Sequence, residues 1–441
     1  MDKETLKYVL ASNATRALPK TVPRTLRLPL DTGKIVTLVG IRRSGKTYLL
    51  YETMQRLENQ GVDRRQIVYL NFEDDRLLPI KTRELDLVLR AHDELYPDMI
   101  GQKKYLFLDE VQDVPRWESL VRRLHDTENM SIFVTGSSSR LLTRELATGL
   151  RGRSISYEVF PLSFAEFLSF TGREHLPYSR PAESRTAAAL LEYLTVGGLP
   201  EVVLADPVLR PRILQEYVTL VFYKDLVERY GVSNPIVLRQ LLKRCLGQPA
   251  STISTHKLYN EFRSLGIELS KDTLYRYIEH LEESYLIFAL PISDRSLRRQ
   301  AMNPKKRHPV DWALGYPFVT EDSIDVGHKL ETAVFLHWRR RRQDLAYMGG
   351  QHEVDLVVGG DRPAILINVA YSVTQAATWD REMASLTWGA GQAPQAKCIL
   401  VVHEGTNRKP PQGIAVTEAW RYLLTPAPED TSPSAPESLE A

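Results

Sequence analysis

Residues Gly40 to Thr47 read G-I-R-R-S-G-K-T and follow directly on the apolar run Ile35-Val36-Thr37-Leu38-Val39. A G-x-x-x-x-G-K-[ST] segment between a strand and a helix admits few folds. It requires a turn whose glycines let backbone N–H groups face inward, with a helix starting beneath them. The partner of such a turn is the phosphate chain of a nucleoside triphosphate. Lys46 supplies positive charge for the β- and γ-phosphates, and the Thr47 hydroxyl suits Mg2+. The helix predicted from Tyr48 to about Gln60 adds its positive dipole end. Gly40, Arg42, Arg43, Ser44, Gly45, Lys46, Thr47 and Tyr48 are therefore the candidate nucleotide-binding residues.

A phosphate-binding loop needs acids, and a second apolar run, Lys104 to Leu108, ends in Asp109-Glu110. Asp109 stands where a carboxylate holds the Mg2+ shell. Glu110 follows at the strand end, where the chain can turn, and suits a general base that polarises the attacking water. A third strand, Met130 to Val134, leads into Thr135-Gly136-Ser137-Ser138-Ser139. Thr135 fits a sensor of the γ-phosphate, and this stretch fits a cap for the next helix equally well. Leu150-Arg151-Gly152-Arg153 offers an arginine finger, in this subunit or a neighbouring one. A basic loop paired to surface acids is the plainer alternative.

The remaining composition narrows the class. With 441 residues, 43% hydrophobic and 25% charged, the chain suits a soluble protein of several domains. A net charge of only +2 gives no global basic field, so any nucleic-acid contact must come from local clusters. Two cysteines, Cys245 and Cys398, have no metal spacing and fit a reducing compartment. The N-terminal stretch lacks an apolar secretory region and no apolar run reaches membrane-spanning length, so the expected location is the cytoplasm and no membrane partner is expected.

Along the chain, residues 1–30 read as an N-terminal helical segment broken by Pro19 and Pro23. Alternating strands and helices over 31–165 predict an α/β parallel sheet with ligands at the strand C-terminal ends. A helical lid follows over 166–233. Residues 234–295 suggest a winged helix, three helices and a strand, whose third helix is capped by Ser270. That helix would expose Lys271, Thr273, Tyr275 and Arg276 while Leu274, Tyr277, Ile278 and Leu281 pack inward. A winged helix used only for protein contact or as a spacer fits the same pattern. Basic residues Arg295, Arg298, Arg299, Lys305, Lys306, Arg307 and His308 come next, suited to a phosphate backbone or to solvated loops. Residues 296–424 form a small α/β module, with Ala364–Ala370 expected as the hairpin partner of Glu353–Val358. Arg339 to Arg342 is expected to complement the end of a helix. The segment 425–441, rich in Pro, Ser, Ala and Glu, is expected to be disordered.

These segments together resemble the prokaryotic AAA-superfamily ATPases that carry a C-terminal domain related to PD-(D/E)xK nucleases. The resemblance rests on the Gly40–Thr47 loop, Leu106-Phe-Leu-Asp-Glu-Val-Gln112, Thr135-Gly-Ser-Ser138, Leu150–Arg153, Phe160-Pro-Leu-Ser-Phe164, Gly197-Gly-Leu-Pro-Glu201, Ser270–Thr273, Gly327–Phe335 and Glu353-Val-Asp355. It implies an AAA-type P-loop NTPase core, a winged helix and a small restriction-endonuclease-like α/β domain. Nuclease sites of that kind join a helix glutamate, a strand aspartate and a (Glu/Gln)-x-Lys around Mg2+. Glu331 and Asp355 match the first two. Asn368-Val369-Ala370 stands at the third, without the lysine. The expected result is a vestigial site with little or no cleavage.

The expected function is Mg2+-dependent ATP hydrolysis coupled to binding or remodelling of DNA, including branched or repair-type DNA, by a homo-oligomer. A nucleotide-gated switch or scaffold for a protein partner is the alternative, and an ATP-dependent nuclease effector the second.

Overall fold

A computed structural model describes residues 3–77, 82–136, 149–173, 180–294, 296–319, 324–341, 344–360 and 362–425. The expectations for Ser137–Ser139 and for nearly all of the tail lie outside these residues.

The N-terminal helix α1 (Lys3–Thr15) packs on a five-stranded sheet of β1 (Ile35–Val39), β2 (Ile67–Asn71), β3 (Lys104–Asp109), β4 (Met130–Thr135) and β5 (Ser154–Glu158). The order is β2-β3-β4-β1-β5 and every pairing is parallel. Parallel strands are covered on both faces, so they read as unbroken apolar runs, and all five residues of β1 are buried. Helices α2 (Lys46–Asn59), α3 (Thr82–Leu95) and α4 (Trp117–Thr127) supply the cover. Leu49, Leu50, Met54 and Leu57 of α2 meet Val36, Leu38, Phe107 and Phe133 on one face, where the Phe107 and Phe133 rings stack at 4.6 Å. Because β4 lies between β1 and β3, the loop after β1 faces the acids after β3 across the tip of β4.

The segment expected as a lid is helical, with α5 (Phe164–Phe170), α6 (Arg180–Val196), α7 (Pro200–Leu204) and α8 (Arg210–Leu220). Ser163 and Glu166 form a capping box that starts α5, satisfying two otherwise unpaired N–H groups. The last helix runs without interruption into a π-helical stretch, Val221–Glu228, a geometry often found at functional positions.

A third module contains α9 (Pro235–Gly247), β6 (Ser251–Ile253), α10 (Thr255–Ser264), α11 (Lys271–Glu283), β7 (Ile287–Leu290), α12 (Leu297–Met302) and β8 (Lys305–Pro309). Its antiparallel sheet has the order β6-β8-β7. Thus Lys305–Pro309 is the middle strand of this sheet and not a solvated loop. The boundary expected at residue 295 cuts between its strands.

The C-terminal module comprises α13 (Val326–Arg339), β9 (Leu345–Gly349), β10 (Glu353–Val358), β11 (Ile365–Ser372), α14 (Ala376–Gln392), β12 (Lys397–Glu404), β13 (Ile414–Glu418) and α15 (Ala419–Leu424). The sheet order is β13-β12-β11-β10-β9. β10 pairs antiparallel with β11, and β11, β12 and β13 are parallel. Trp379, Met383 and Leu386 of α14 cover one face. Helix α13 covers the other and is buried continuously from Lys329 to Trp338. Its C-terminal end is tied to the first module: Arg339 pairs with Glu158 at the end of β5 at 2.8 Å, and Arg340 donates to the Pro161 carbonyl at 2.8 Å.

Candidate functional site

Gly40 and Gly45 both have left-handed backbone, with φ of 136° and 97°. A Cβ on Gly40 would lie 2.4 Å from the Val159 carbonyl oxygen, so no other residue fits where the loop leaves β1. Arg43 also adopts positive φ, at 58°. Lys46 is buried, and its ammonium donates to the carbonyls of Gly40 and Ile41, each at 3.1 Å. Burial lowers the Lys46 pKa below the ordinary lysine range, while Glu110 and Asp109 draw it back. The Ser44 hydroxyl is buried with no hydrogen-bond partner, a cost that a phosphate oxygen against the loop would remove.

Asp109 is fully buried at the end of β3. Three hydroxyls hold its carboxylate: Thr135, Thr47 and, at 2.9 Å, Tyr69. Burial raises its pKa despite those donors. Glu110 has φ 54°, a left-handed turn that breaks strand alternation and lets two consecutive acids serve one site. Such a conformation costs about 1–2 kcal/mol outside glycine. Its N–H donates to the Thr135 hydroxyl at 3.0 Å, and its carboxylate accepts from Gln112 Nε2 at 2.9 Å. Thr135 therefore touches both acids.

The loop and acids line a cleft of about 980 Å³, closed on its other sides by Lys20–Val22 and by Phe170, Leu204 and Leu220 of the lid. The lid is bound to the loop at three points. Arg42 pairs with Asp225 of the π-helical stretch at 2.9 Å, Arg43 pairs with Glu201 at 2.6 Å, and the Tyr217 hydroxyl donates to the Arg42 carbonyl at 2.7 Å. Tyr48 is exposed beside the cleft. Tyr69, Asp225 and Tyr217 were not found by sequence. Each is 40 to 183 residues from its partner in the chain, and no local spacing marks it.

Arg151 and Arg153 lie just before β5, whose first residue, Ser154, is level with Ile35. They stand at the opposite end of the sheet from the loop, roughly 16 Å away along a five-residue strand. Neither completes the site of its own subunit, and Arg153 pairs with Asp126 at 2.8 Å. On α11, Lys271, Tyr275 and Arg276 are exposed and Thr273 half-buried, while Leu274, Tyr277, Ile278 and Leu281 are buried. Arg298 and Arg299 are also exposed.

Lys306 is not available to a phosphate backbone. It is 2% exposed and its ammonium meets Glu353 at 2.6 Å, Glu331 at 2.8 Å and Asp355 at 3.1 Å. The amine absent at Ala370 thus reaches the carboxylates from β8. Burial and Asp355 push Glu331 up to about 8. Asn368 donates to Glu382 at 2.7 Å, and its carbonyl oxygen accepts from the Asp355 N–H at 3.3 Å. With the ammonium in this position the acids are already paired, and a cation would first have to displace it. Among the described residues, no group of three or more histidines, cysteines or acids is arranged to hold a metal ion.

Residues 32–168 match the family described as an AAA domain, and 187–320 match a domain of unknown function, DUF8612. The uncharacterized protein MJ1544 of Methanocaldococcus jannaschii is 34% identical over 365 residues, covering 81% of this chain and 79% of that protein. The chain belongs to its family. An uncharacterized protein of Haemophilus influenzae is 28% identical over 348 residues, 78% of this chain and 84% of its own. The Walker-type ATPase PABY2304 of Pyrococcus abyssi is similar in structure, with 13% identity, a TM-score of 0.41 and coverage of 72% of this chain and 95% of that one. The matched AAA domain of this family member, residues 32–168, holds every residue of the loop and acid site. Among its described residues no helix is long and apolar enough to cross a membrane.

Proposed function

We propose that the chain hydrolyses ATP with Mg2+ and couples the cycle to DNA. The observation that carries this is the convergence of Lys46, Thr47, Asp109 and Glu110 at one end of the sheet, with Thr135 touching both acids. In this reading Lys46 and the loop N–H groups bind the phosphate chain, and the Ser44 hydroxyl gains a partner there. Thr47 and Asp109 hold the cation, which when bound screens charge on the phosphates. Glu110 takes the proton of the attacking water. Arg151 or Arg153 comes from a neighbouring copy, since the sheet separates both from their own loop, and the chain therefore works as a homo-oligomer.

The DNA part rests on the third module. Its order of helix, strand, two helices, strand, short helix and strand supports a winged-helix reading, and α11 presents Lys271, Tyr275 and Arg276 to solvent. The C-terminal sheet is read as a nuclease-like fold with little or no cleavage, because Lys306 neutralises the acids a cation would need. A second reading, a slow nucleotide-gated switch acting on a protein partner, draws on the Gln112 amide that engages the Glu110 carboxylate.

Turnover and binding assays separate the readings. Lys46→Ala should abolish nucleotide binding or turnover. Glu110→Gln should bind ATP and hydrolyse it roughly 100-fold more slowly; wild-type turnover by that variant would remove Glu110 as the base. Duplex, single-stranded and branched DNA at fixed salt should bind, and stimulate turnover. Neither effect near physiological salt would leave the switch reading standing.

A further inference from the structure

One buried cation near the cleft has no part in the site as built so far. Arg24 lies in the connecting segment, outside the matched AAA domain, and its side chain is 8% exposed. Its guanidinium makes three different contacts. Nη1 donates to the Ser44 carbonyl at 3.0 Å, Nη2 to the Phe160 carbonyl at 2.8 Å, and Nε to Glu166 at 2.9 Å. Glu166 is fixed in turn by the backbone N–H groups of Thr25 and Ser163. The guanidinium also packs on Gly45, where a Cβ would stand 3.2 Å from Nη1.

We infer that Arg24 is a positioning residue for the phosphate loop, setting the direction in which the loop offers its donors. This rests on the nucleotide reading of the cleft. The argument is geometric. The peptide between Ser44 and Gly45 is planar, so fixing the Ser44 carbonyl fixes the Gly45 N–H on the opposite side of the plane. Gly45 is the N-cap of α2, and its N–H belongs to the set of unpaired donors at that helix start. Lys46 holds the Gly40 and Ile41 carbonyls and Tyr217 holds the Arg42 carbonyl in the same way. Arg24 therefore completes a set of side chains that hold four loop carbonyls, and it reaches the loop from the segment before β1. Its planar fork can serve three acceptors at once; a lysine in its place keeps the charge beside Glu166 but cannot span them.

The test is the affinity of the full-length protein for MANT-ADP, by fluorescence titration well below the melting temperature, for wild type, Arg24→Gln and Arg24→Lys. Loss of a charged hydrogen bond that orders the loop should weaken binding about tenfold in Arg24→Gln. Arg24→Lys, which keeps the ion pair and so the fold, should bind at least about fivefold more weakly than wild type. A lowered melting temperature with wild-type affinity in Arg24→Lys would make Arg24 a tether only and overturn the inference alone. No binding by wild type would overturn the nucleotide reading, and this inference with it.

Discussion

Lys306 and Glu166 show how one buried charge is tolerated in two different ways. Lys306 faces three carboxyl groups, and burial, with Asp355 beside it, pushes Glu331 up to about 8, so Glu331 is largely protonated at neutral pH. Lys306→Met should destabilise the protein by about 3–5 kcal/mol at pH 9, where it strands the buried Glu331 carboxylate beside Asp355. The loss should be smaller at pH 6, where Glu331 carries its proton, and chemical denaturation at the two pH values measures the difference. Glu166 is the opposite case. Against its burial, Arg24 and Arg340 hold its carboxyl down to about 2, below its ordinary value of 4.5. Its contribution is fully present above about pH 4.5 and fades as pH falls towards 2. Glu166→Gln should therefore lower stability at neutral pH and flatten the acid limb of a stability profile. An unchanged limb would mean that other carboxylates control acid unfolding.

Among the elements, the loop-bearing strand and β3 were legible because their chemistry is local. A glycine pattern after an apolar run, and two acids after another, need no knowledge of partners. Strand β8 was not. Lys305, Lys306, Arg307 and His308 look like solvated charge until β8 lies against α13, where Lys306 finds Glu331 25 residues away and His308 stacks on Phe335 at 4.1 Å. The end of α13 misled in the same way: Arg340 serves the Pro161 carbonyl, 179 residues away. The Gly197-Gly198 turn between α6 and α7 lay in between. Its glycines were visible, but their cause was not. Asp311 accepts from the Gly198 N–H at 2.7 Å, and a Cβ on Gly197, at φ 83°, would stand 2.3 Å from Asp311 Oδ1. Gly197→Ala should thus cost more than about 1–2 kcal/mol, beyond the backbone penalty alone, and loosen the lid. Thermal melting reads the first effect, and limited proteolysis within α6–α8 the second.

For the molecule as a whole, the position of Arg151 and Arg153 at the far end of the sheet makes a prediction about assembly. If a neighbour supplies the finger, Glu110→Gln subunits and subunits with Arg151→Ala and Arg153→Ala are each inactive alone. Mixed together, the former lend arginines to the intact acid sites of the latter, so turnover should reappear in the mixture and pass through a maximum with mixing ratio. No recovery, in a preparation that native mass spectrometry shows to be mixed oligomers, would exclude an essential shared site. Helix α13 has a different consequence at this scale. With ten consecutive residues buried, it has no face of its own for water, and every side of it is covered by part of the molecule. A chain cut before this helix would leave an open apolar channel along the remaining modules. The half that carries the AAA domain is thus poorly suited to be inherited, shuffled or expressed as a free-standing unit, and the family's domains are expected to have travelled together.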